Sequence, residues 1–264
     1  EFFKNVPIIS DGKLRVGYGE TGSTSISPYY TLDMLVSGKV CLADKLYTFF
    51  APGTRLPADL KWETTSQFNV GLDLGILNNR IRLTADYYIK NTRDLLNTVQ
   101  LPRSLGYATT IQNIGKIQNK GVEIQVDAAL FEKAFRWDIS GNISFNKNKI
   151  VALYGGQDIK GSIYSVTVDN SYVNVLREGK PFGAFVGFIN TGIDETGHFT
   201  YKDIDSDGKL TDADRTWIGD PNPDFIYGLN SRMSWKNFNF SFFVQGSQGN
   251  DIFGLTYIHE NFLY

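Results

Sequence analysis

The 264-residue chain contains a single cysteine, Cys41, so it cannot form an internal disulfide. It also lacks any run near the ~20 apolar residues that a membrane-spanning helix needs, which excludes a helical membrane protein. Neither charge predominates, because 26 Lys and Arg stand against 28 Asp and Glu. That balance argues against a nucleic-acid-binding protein, which usually presents a basic surface. Only His198 and His259 are histidines, and no nucleophile and base stand in a catalytic pattern, so the sequence does not indicate an enzyme.

The chain is rich in aromatic residues and glycine, with 19 Phe, 14 Tyr and 26 Gly. Apolar and polar residues alternate over long stretches, most clearly from Trp62 to Ile76, where the even positions are largely apolar. A period of two is typical of β-strands with one apolar side. The same alternation predicts further strands at 14–18, 81–89, 122–130, 137–145, 225–235 and 238–244. The fold class is therefore predicted to be all-β, built from long antiparallel hairpins.

The predicted strands are unusually long, since 15 residues reach about 50 Å and globular strands usually have ~5–6 residues. Short turns at 78–79, 131–135 and 236–237 alternate with long segments at 91–119 and 147–224, as in outer-membrane β-barrels. Aromatic residues at the predicted strand ends resemble the interfacial girdles of such barrels: Trp62, Tyr87, Trp137, Phe145, Phe225, Trp235 and Phe238. A soluble β-sandwich also has alternating strands, so both architectures stay open at this point.

The segment 147–224 is predicted to be one large extracellular excursion, with a small hairpin of its own formed by 162–168 and 182–190. Within it, residues 203–214 follow the spacing of an EF-hand or dockerin-like calcium loop. The predicted ligands are the carboxylates at loop positions 1, 3, 5 and 12 and the backbone carbonyl at position 7: Asp203, Asp205, Asp207, Asp214 and Lys209. Calcium prefers such hard oxygen ligands, so the sequence predicts a structural Ca²⁺ site. The alternative is an acidic surface turn that binds nothing.

Two neighbours of these ligands carry further expectations. Leu210, at loop position 8, is apolar and can anchor the loop on a core. Thr211 can cap a short helix that begins at Asp212, because its hydroxyl can accept a hydrogen bond from a backbone N–H in the first turn.

A glycine pattern at Gly17, Gly19 and Gly22 matches the spacing of a dinucleotide-binding loop. That motif needs a helix immediately afterwards to receive the pyrophosphate. The following residues, from Ser23 to Pro28, do not favour a helix, so we expect a glycine-rich strand end or turn.

Several short motifs resemble the SusC/RagA family of TonB-dependent outer-membrane transporters, and together they extend over most of the chain. They are Leu60–Glu63, Ala85–Tyr88, Asn113–Glu123, Asp220–Leu229, Phe243–Ile252, and the acidic loop followed by Arg215. The most specific are Asn-Lys-Gly-Val-Glu at 119–123 and Gln-Gly-Ser-Gln-Gly-Asn-Asp at 245–251.

This resemblance implies a 22-stranded barrel with a plug domain in the outer membrane of a Gram-negative bacterium, in contact with its lipid. It implies import of glycans or peptides, a SusD-like surface lipoprotein as lid, and energy supplied through TonB. No plug, TonB box or last barrel strands are recognisable, so residues 1–264 are expected to be an internal, partial β-barrel segment of a larger transporter. The alternative from a different class is a soluble β-rich carbohydrate-binding module stabilised by calcium.

Overall fold

The computed structural model of the protein describes residues 8–23, 35–52, 60–100, 109–113, 115–161, 163–165, 170–254 and 256. Seven long strands pair antiparallel in one sheet, and their order in the sheet is their order in the chain. They are β1 (Ile9–Ser23), β2 (Glu63–Ile76), β3 (Ile81–Arg93), β4 (Lys116–Glu132), β5 (Phe135–Ala152), β6 (Phe225–Trp235) and β7 (Phe238–Gln248). The all-β antiparallel prediction is confirmed. No helix among the described residues is long and apolar enough to cross a membrane.

The strand register places the alternating apolar residues of neighbouring strands on one side of the sheet. Leu72 lies opposite Ala85, and the flanking pairs join Val70 to Tyr87 and Leu74 to Leu83. Directly paired residues share a face of a sheet. We call this side the apolar face and the opposite side, which carries the intervening polar residues, the polar face.

The apolar face is open rather than packed against a second layer. Leu14 is 69% exposed and Phe240 is 61% exposed, and both lie on this face. Among the described residues the buried apolar side chains are Ile150, Val175, Ala184 and Val186, and all four lie outside the apolar face. A β-sandwich would bury one face of each sheet, so the described part of the chain does not form one. The alternative of a soluble sandwich-like module thereby loses its structural basis.

Several strands are longer than the sequence predicted, whereas β6 has the predicted bounds 225–235. β1 was expected only at 14–18 but has 15 residues, and β5 was expected at 137–145 but continues to Ala152. Strand pairing, rather than alternation, fixes these ends: residues from β1 that do not alternate still pair with β2 along its whole length.

Two hairpins escaped the sequence analysis. One joins Leu35–Leu42 to Lys45–Pro52 between β1 and β2, and the other joins Leu96–Gln100 to Thr109–Asn113 between β3 and β4. The second occupies much of the segment 91–119 that was expected to be a long loop.

The two ends of the sheet differ in their connections. At one end, β2–β3, β4–β5 and β6–β7 are joined by residues 77–80, 133–134 and 236–237. We call this the turn end and the opposite one the loop end. The first turn was expected to use only Asn78 and Asn79, but Leu77 also has a positive φ of 55° and four residues separate the Ile76–Ile81 pair.

The connection between β5 and β6 spans residues 153–224, and we call it the excursion. It contains short strands at Ile159–Lys160, Ile163–Ser165, Asn170–Tyr172, Val175–Leu176, Phe185–Gly187, Asn190–Ile193, Phe199–Tyr201 and Thr216–Gly219. The predicted hairpin between 162–168 and 182–190 is wrong. Ile163–Ser165 pairs with Asn170–Tyr172, and Phe185–Gly187 pairs with Thr216–Gly219. Residues 162 and 166–168 of that prediction lie outside the described residues.

Gly121 is a position in the sheet where a side chain would not fit. It lies opposite Tyr88, and an added Cβ would stand 2.5 Å from the carbonyl oxygen of Phe145 and 2.6 Å from the Tyr88 hydroxyl. We expect Gly121→Val to destabilise the assembled sheet by ~1–3 kcal/mol, because backbone and ring must both move. The matched control is Gly141→Val, since the nearest atom to its added Cβ is 3.7 Å away. Denaturant unfolding of the full-length protein in detergent measures both, and equal midpoints would contradict the packing argument.

Candidate metal loop and sheet surfaces

The polar face carries an ion-pair network across its first three strands. Arg15 donates from Nε to Asp73 Oδ2 at 2.8 Å and from Nη2 to Asp73 Oδ1 at 3.0 Å and to Asp86 Oδ2 at 2.9 Å. Gly71 lies between Arg15 and Asp86 in the register, and an added Cβ there would stand 2.7 Å from the guanidinium carbon. The sequence placed these side chains on one face by alternation but gave no sign that they meet.

Aromatic rings cluster toward both ends of the apolar face. Near the turn end, the Phe131 ring lies 5.8 Å from that of Phe135 and 6.1 Å from that of Trp137. Toward the loop end, the Phe145 and Phe225 rings are 5.8 Å apart. Trp137 and Phe145 are eight residues apart on β5, about 26 Å along a strand.

One polar side chain interrupts the apolar face and is satisfied there. Ser231 is almost fully buried and its hydroxyl accepts a 2.9 Å hydrogen bond from the indole Nε1 of Trp137. The face therefore remains apolar without an unpaired hydroxyl at that point.

The excursion is fastened to the loop end of β5, where β6 has not yet begun. Ile150 exchanges backbone hydrogen bonds with residues 179 and 180 at 2.8 and 2.9 Å. On the polar face, the Asn148 side chain accepts from the Phe182 N–H at 2.5 Å and donates to Asn222 at 2.6 Å. These bonds hold both halves of the excursion over the polar face of the sheet.

Three of the four predicted carboxylates converge in the acidic loop, residues 203–214. One oxygen each from Asp203, Asp205 and Asp214 lie within 4.8 Å of one another. Calcium binds oxygens at 2.3–2.6 Å, so two ligands on opposite sides of one ion stand roughly 4.6–5.2 Å apart. The spacing of these three groups fits a calcium ion between them.

Asp207 and Lys209 are not part of this group of three. The Asp207 carboxylate accepts a 2.7 Å hydrogen bond from the Lys209 N–H. Asp203 accepts from Ser206 and from Gly208, at 2.6 and 2.8 Å. Positive φ angles at Ser206 (61°) and Gly208 (74°) wind the chain tightly around Asp203.

Asp214 is the structural centre of the loop. It is fully buried, and its two carboxylate oxygens accept from the Ile204 and Thr211 N–H groups at 2.7 and 2.8 Å. Thr211 in turn accepts from Ala213, which completes a capping box on the 3₁₀ helix Asp212–Asp214. The short helix and its Thr211 cap are confirmed.

The titration of the loop carboxylates follows from these contacts. The backbone hydrogen bonds from Thr211 and Ile204 lower the pKa of Asp214, so it is held ionised. Burial raises the pKa of Asp205, and the nearby charges of Asp207, Asp214 and Asp203 raise it further. Repulsion of this kind is relieved when a cation binds.

Arg215 connects the acidic loop to the rest of the excursion. Its guanidinium lies 4.6 Å from both the Tyr172 and Phe188 ring centres, and it donates to Asp212 Oδ1 at 2.9 Å and to the Tyr172 carbonyl at 3.1 Å. Lys160 adds a 2.8 Å bond to Asp212. The aromatic residues Tyr172 and Phe188 therefore pack within the excursion.

Other sequence candidates are placed differently or remain without a role. Leu210 is 52% exposed, so its expected anchoring on a core is wrong: the loop is held by Asp214 and Arg215 instead. His198 is exposed, and its Nδ1 lies 2.8 Å from the Thr196 hydroxyl and 3.9 Å from the Asp194 carboxylate. Cys41 is exposed on the first missed hairpin. Gly17–Gly22 lies within β1, as a strand rather than a nucleotide loop.

A family model described as "TonB dependent receptor-like, beta-barrel" matches residues 7–261. This chain belongs to that family. Over 97% of its length it is 35% identical to TonB-dependent receptor P3 of Formosa agariphila, and over 99% it is 34% identical to TonB-dependent receptor SusC of Bacteroides thetaiotaomicron. Among solved structures, the RagAB peptide importer in its open-open state matches 95% of the chain with a TM-score of 0.77 and 26% identity.

The chain spans about a quarter of the length of these relatives, 27% of each. The resemblance to SusC and RagA predicted from short motifs is thereby confirmed, and so is the β-barrel family. The sequence analysis missed the polar-face network, because only pairing between distant strands brings its residues together. It also missed the hairpin at 35–52, although this one is local: Ala43 and Asp44 alone join its strands, and both have positive φ angles.

Proposed function

We propose that this chain is a wall segment of an outer-membrane importer that takes up glycans or peptides in a Gram-negative bacterium. The observation that carries the proposal is the exposed apolar face, bounded by aromatic clusters about 26 Å apart. Outer-membrane barrels present a lipid-facing apolar band ≈ 25 Å tall between aromatic girdles. Because barrel strands are tilted ≈ 35–45°, 26 Å along a strand corresponds to roughly 18–21 Å of that height. The apolar face would contact lipid and the polar face would line the interior.

The connections give the orientation of this segment. Barrels of the outer membrane place short turns on the periplasmic side and long loops outside. The turn end would therefore face the periplasm, and the excursion would lie at the cell surface. TonB would act through parts of the full-length protein that lie outside this wall segment. The full-length protein would then be a TonB-driven transporter rather than an enzyme.

The excursion suits a surface partner such as a SusD-like lipoprotein. The excursion carries exposed apolar side chains, including the cross-strand pair of Ile193 and Phe199, which are both 64% exposed. Clustered exposed apolar groups with a polar surround are typical of protein interaction sites. The similarity to SusC and to the RagAB peptide importer supports this proposal.

Import and partnership can be tested together in the native bacterium. We expect deletion of the full-length gene, or of TonB, to abolish uptake of the imported nutrient from a panel of purified glycans and peptide digests. Ile193→Asp combined with Phe199→Asp should weaken co-purification of the lipoprotein roughly 30-fold or more, as loss of an interface hot spot does. Leu77→Asp is the control, because Leu77 is exposed at the turn end. Unchanged uptake in the deletion strain would contradict the import function.

We also propose that the acidic loop binds one structural Ca²⁺ through Asp203, Asp205 and Asp214. The predicted ligand Asp207 and the Lys209 carbonyl would complete the shell after a local rearrangement, since Asp207 accepts from the Lys209 N–H in the present geometry. The supporting observation is that one carboxylate oxygen from each of these three residues lies within 4.8 Å of the others. Asp214, which supplies one of them, is buried and ionised. The ion would rigidify the excursion next to Arg215, which connects the acidic loop to the rest of the excursion.

A further inference from the structure

A cavity of about 300 Å³ lies at the loop end, between the sheet and the excursion. Its walls are mainly aliphatic, and every lining residue belongs to the described part of the chain. They include Leu95, Leu96, Ile117, Ile150, Leu176 and Phe182. We call this cavity the loop-end pocket.

The pocket opens on the polar side of the sheet. Tyr88 donates to Asn146 at 3.1 Å, which puts both on the polar face, and Ile150 follows Asn146 at alternate positions on β5. Ile117 is the register partner of Ile150 and shares this face. An aliphatic pocket therefore interrupts a surface that is otherwise polar, at the mouth of the interior.

The chemistry of the lining selects its ligand. Ligand pockets of ≈ 300–1,000 Å³ are typically apolar with a few polar groups that fix orientation. Here Asn97 and Lys116 are the polar side chains in the lining. Sugar rings carry hydroxyls on nearly every carbon, and burying them against leucine and isoleucine leaves hydrogen bonds unmade. A branched apolar side chain makes no hydrogen bonds with water, so it loses none when it is buried there.

We infer that the loop-end pocket binds an apolar side chain of an incoming oligopeptide, and so selects peptides over glycans. This inference rests on the proposed import function and narrows its substrate class to peptides that carry a large apolar side chain.

Binding to the purified full-length protein tests the pocket directly. The probes are two pentapeptides that differ only in a central leucine or alanine, with maltopentaose as the glycan probe. We expect the leucine peptide to bind about tenfold or more tightly than the alanine peptide, as for methylene groups in apolar pockets. Maltopentaose should not compete.

Two variants change the pocket and one matched variant does not. Ala152 lines the pocket, so Ala152→Leu should fill it and reduce the leucine preference to less than about threefold. Leu176→Ala should enlarge it and shift the preference toward a central tryptophan. Ala134→Leu makes the same change as the first variant in the exposed connection between β4 and β5, at the opposite end of the sheet, and should leave the preference intact.

Equal affinity for the two peptides, or a leucine preference that survives in Ala152→Leu, would overturn the pocket assignment. Binding and uptake of maltopentaose without either peptide would also overturn it while leaving the import function standing. If deletion of the gene left the uptake of every tested nutrient unchanged, the import function itself would be contradicted. The leucine preference of the purified protein would still test the pocket.

Discussion

We expect Leu72→Arg to destabilise the assembled full-length protein by ~2–4 kcal/mol, the cost of a charge on the lipid face at mid-depth. Leu72 lies midway along the apolar run of β2 from Phe68 to Ile76, and its partner Ala85 is on the same face. The shift corresponds to a roughly 30- to 700-fold change in the folding equilibrium. Refolding into lipid vesicles at increasing urea concentration measures it, and heat-modifiable migration of outer-membrane fractions reports assembly in cells.

The control for this substitution is Gln125→Arg, which places the same side chain on the polar face of β4. Gln125 is exposed and lies in the row of Asn142 and Thr84. An added charge on that side stays in a polar interior, so we expect Gln125→Arg to destabilise the assembled protein by less than ~1 kcal/mol. If both variants assembled equally well, or if Gln125→Arg were the damaging one, the assignment of the apolar face to lipid would be wrong.

The second large effect is expected in the acidic loop on removal of calcium. For a Kd on the order of 10⁻⁴–10⁻³ M, 10 mM calcium should stabilise the excursion by about 1.4–2.7 kcal/mol. Limited proteolysis of the full-length protein in detergent, with and without a chelator, measures that protection within residues 153–224. Magnesium should not substitute, because its octahedral shell at ~2.0–2.1 Å does not suit this spacing.

Variants separate the three grouped carboxylates from the fourth. Asp203→Asn and Asp205→Asn should abolish the calcium-dependent protection, since each removes one of the oxygens that lie within 4.8 Å of one another. Asp207→Asn should weaken it less, because Asp207 starts outside that group. Protection that is unchanged in both grouped variants would identify the segment as an acidic turn without a metal role.

The carboxylates of the acidic loop predict how its calcium affinity depends on pH. The pKa of Asp205 is raised in the calcium-free loop, so Asp205 takes up a proton at a higher pH than an ordinary aspartate. Calcium must displace that proton, and its apparent affinity should fall as the pH is lowered toward and through that raised pKa. Asp205→Asn removes the effect together with the site. A calcium affinity that did not weaken on acidification would place Asp205 outside the coordination shell.

Several features of the candidate site could be predicted from local sequence. The Thr211 cap and the helix Asp212–Asp214 were expected, because a capping box is formed by residues three apart in the chain. The grouping of Asp203 with Asp205 follows from the same local winding. The position of Leu210 could not be predicted, because its burial depends on whether another element covers it, and here none of the described elements does.

The sequence by itself determined the fold class and the two faces of the sheet. Alternation has a period of two, and a strand turns every second side chain to the same side, so Leu72 and Ala85 share a face for a local reason. The tertiary structure alone decided the strand ends, the pairings within the excursion, the contact of Arg15 with Asp73 and Asp86, and the loop-end pocket. The Arg15 contacts join residues 58 and 71 positions apart. The other features depend on which strands pair and in what register, which no single strand's local preference fixes.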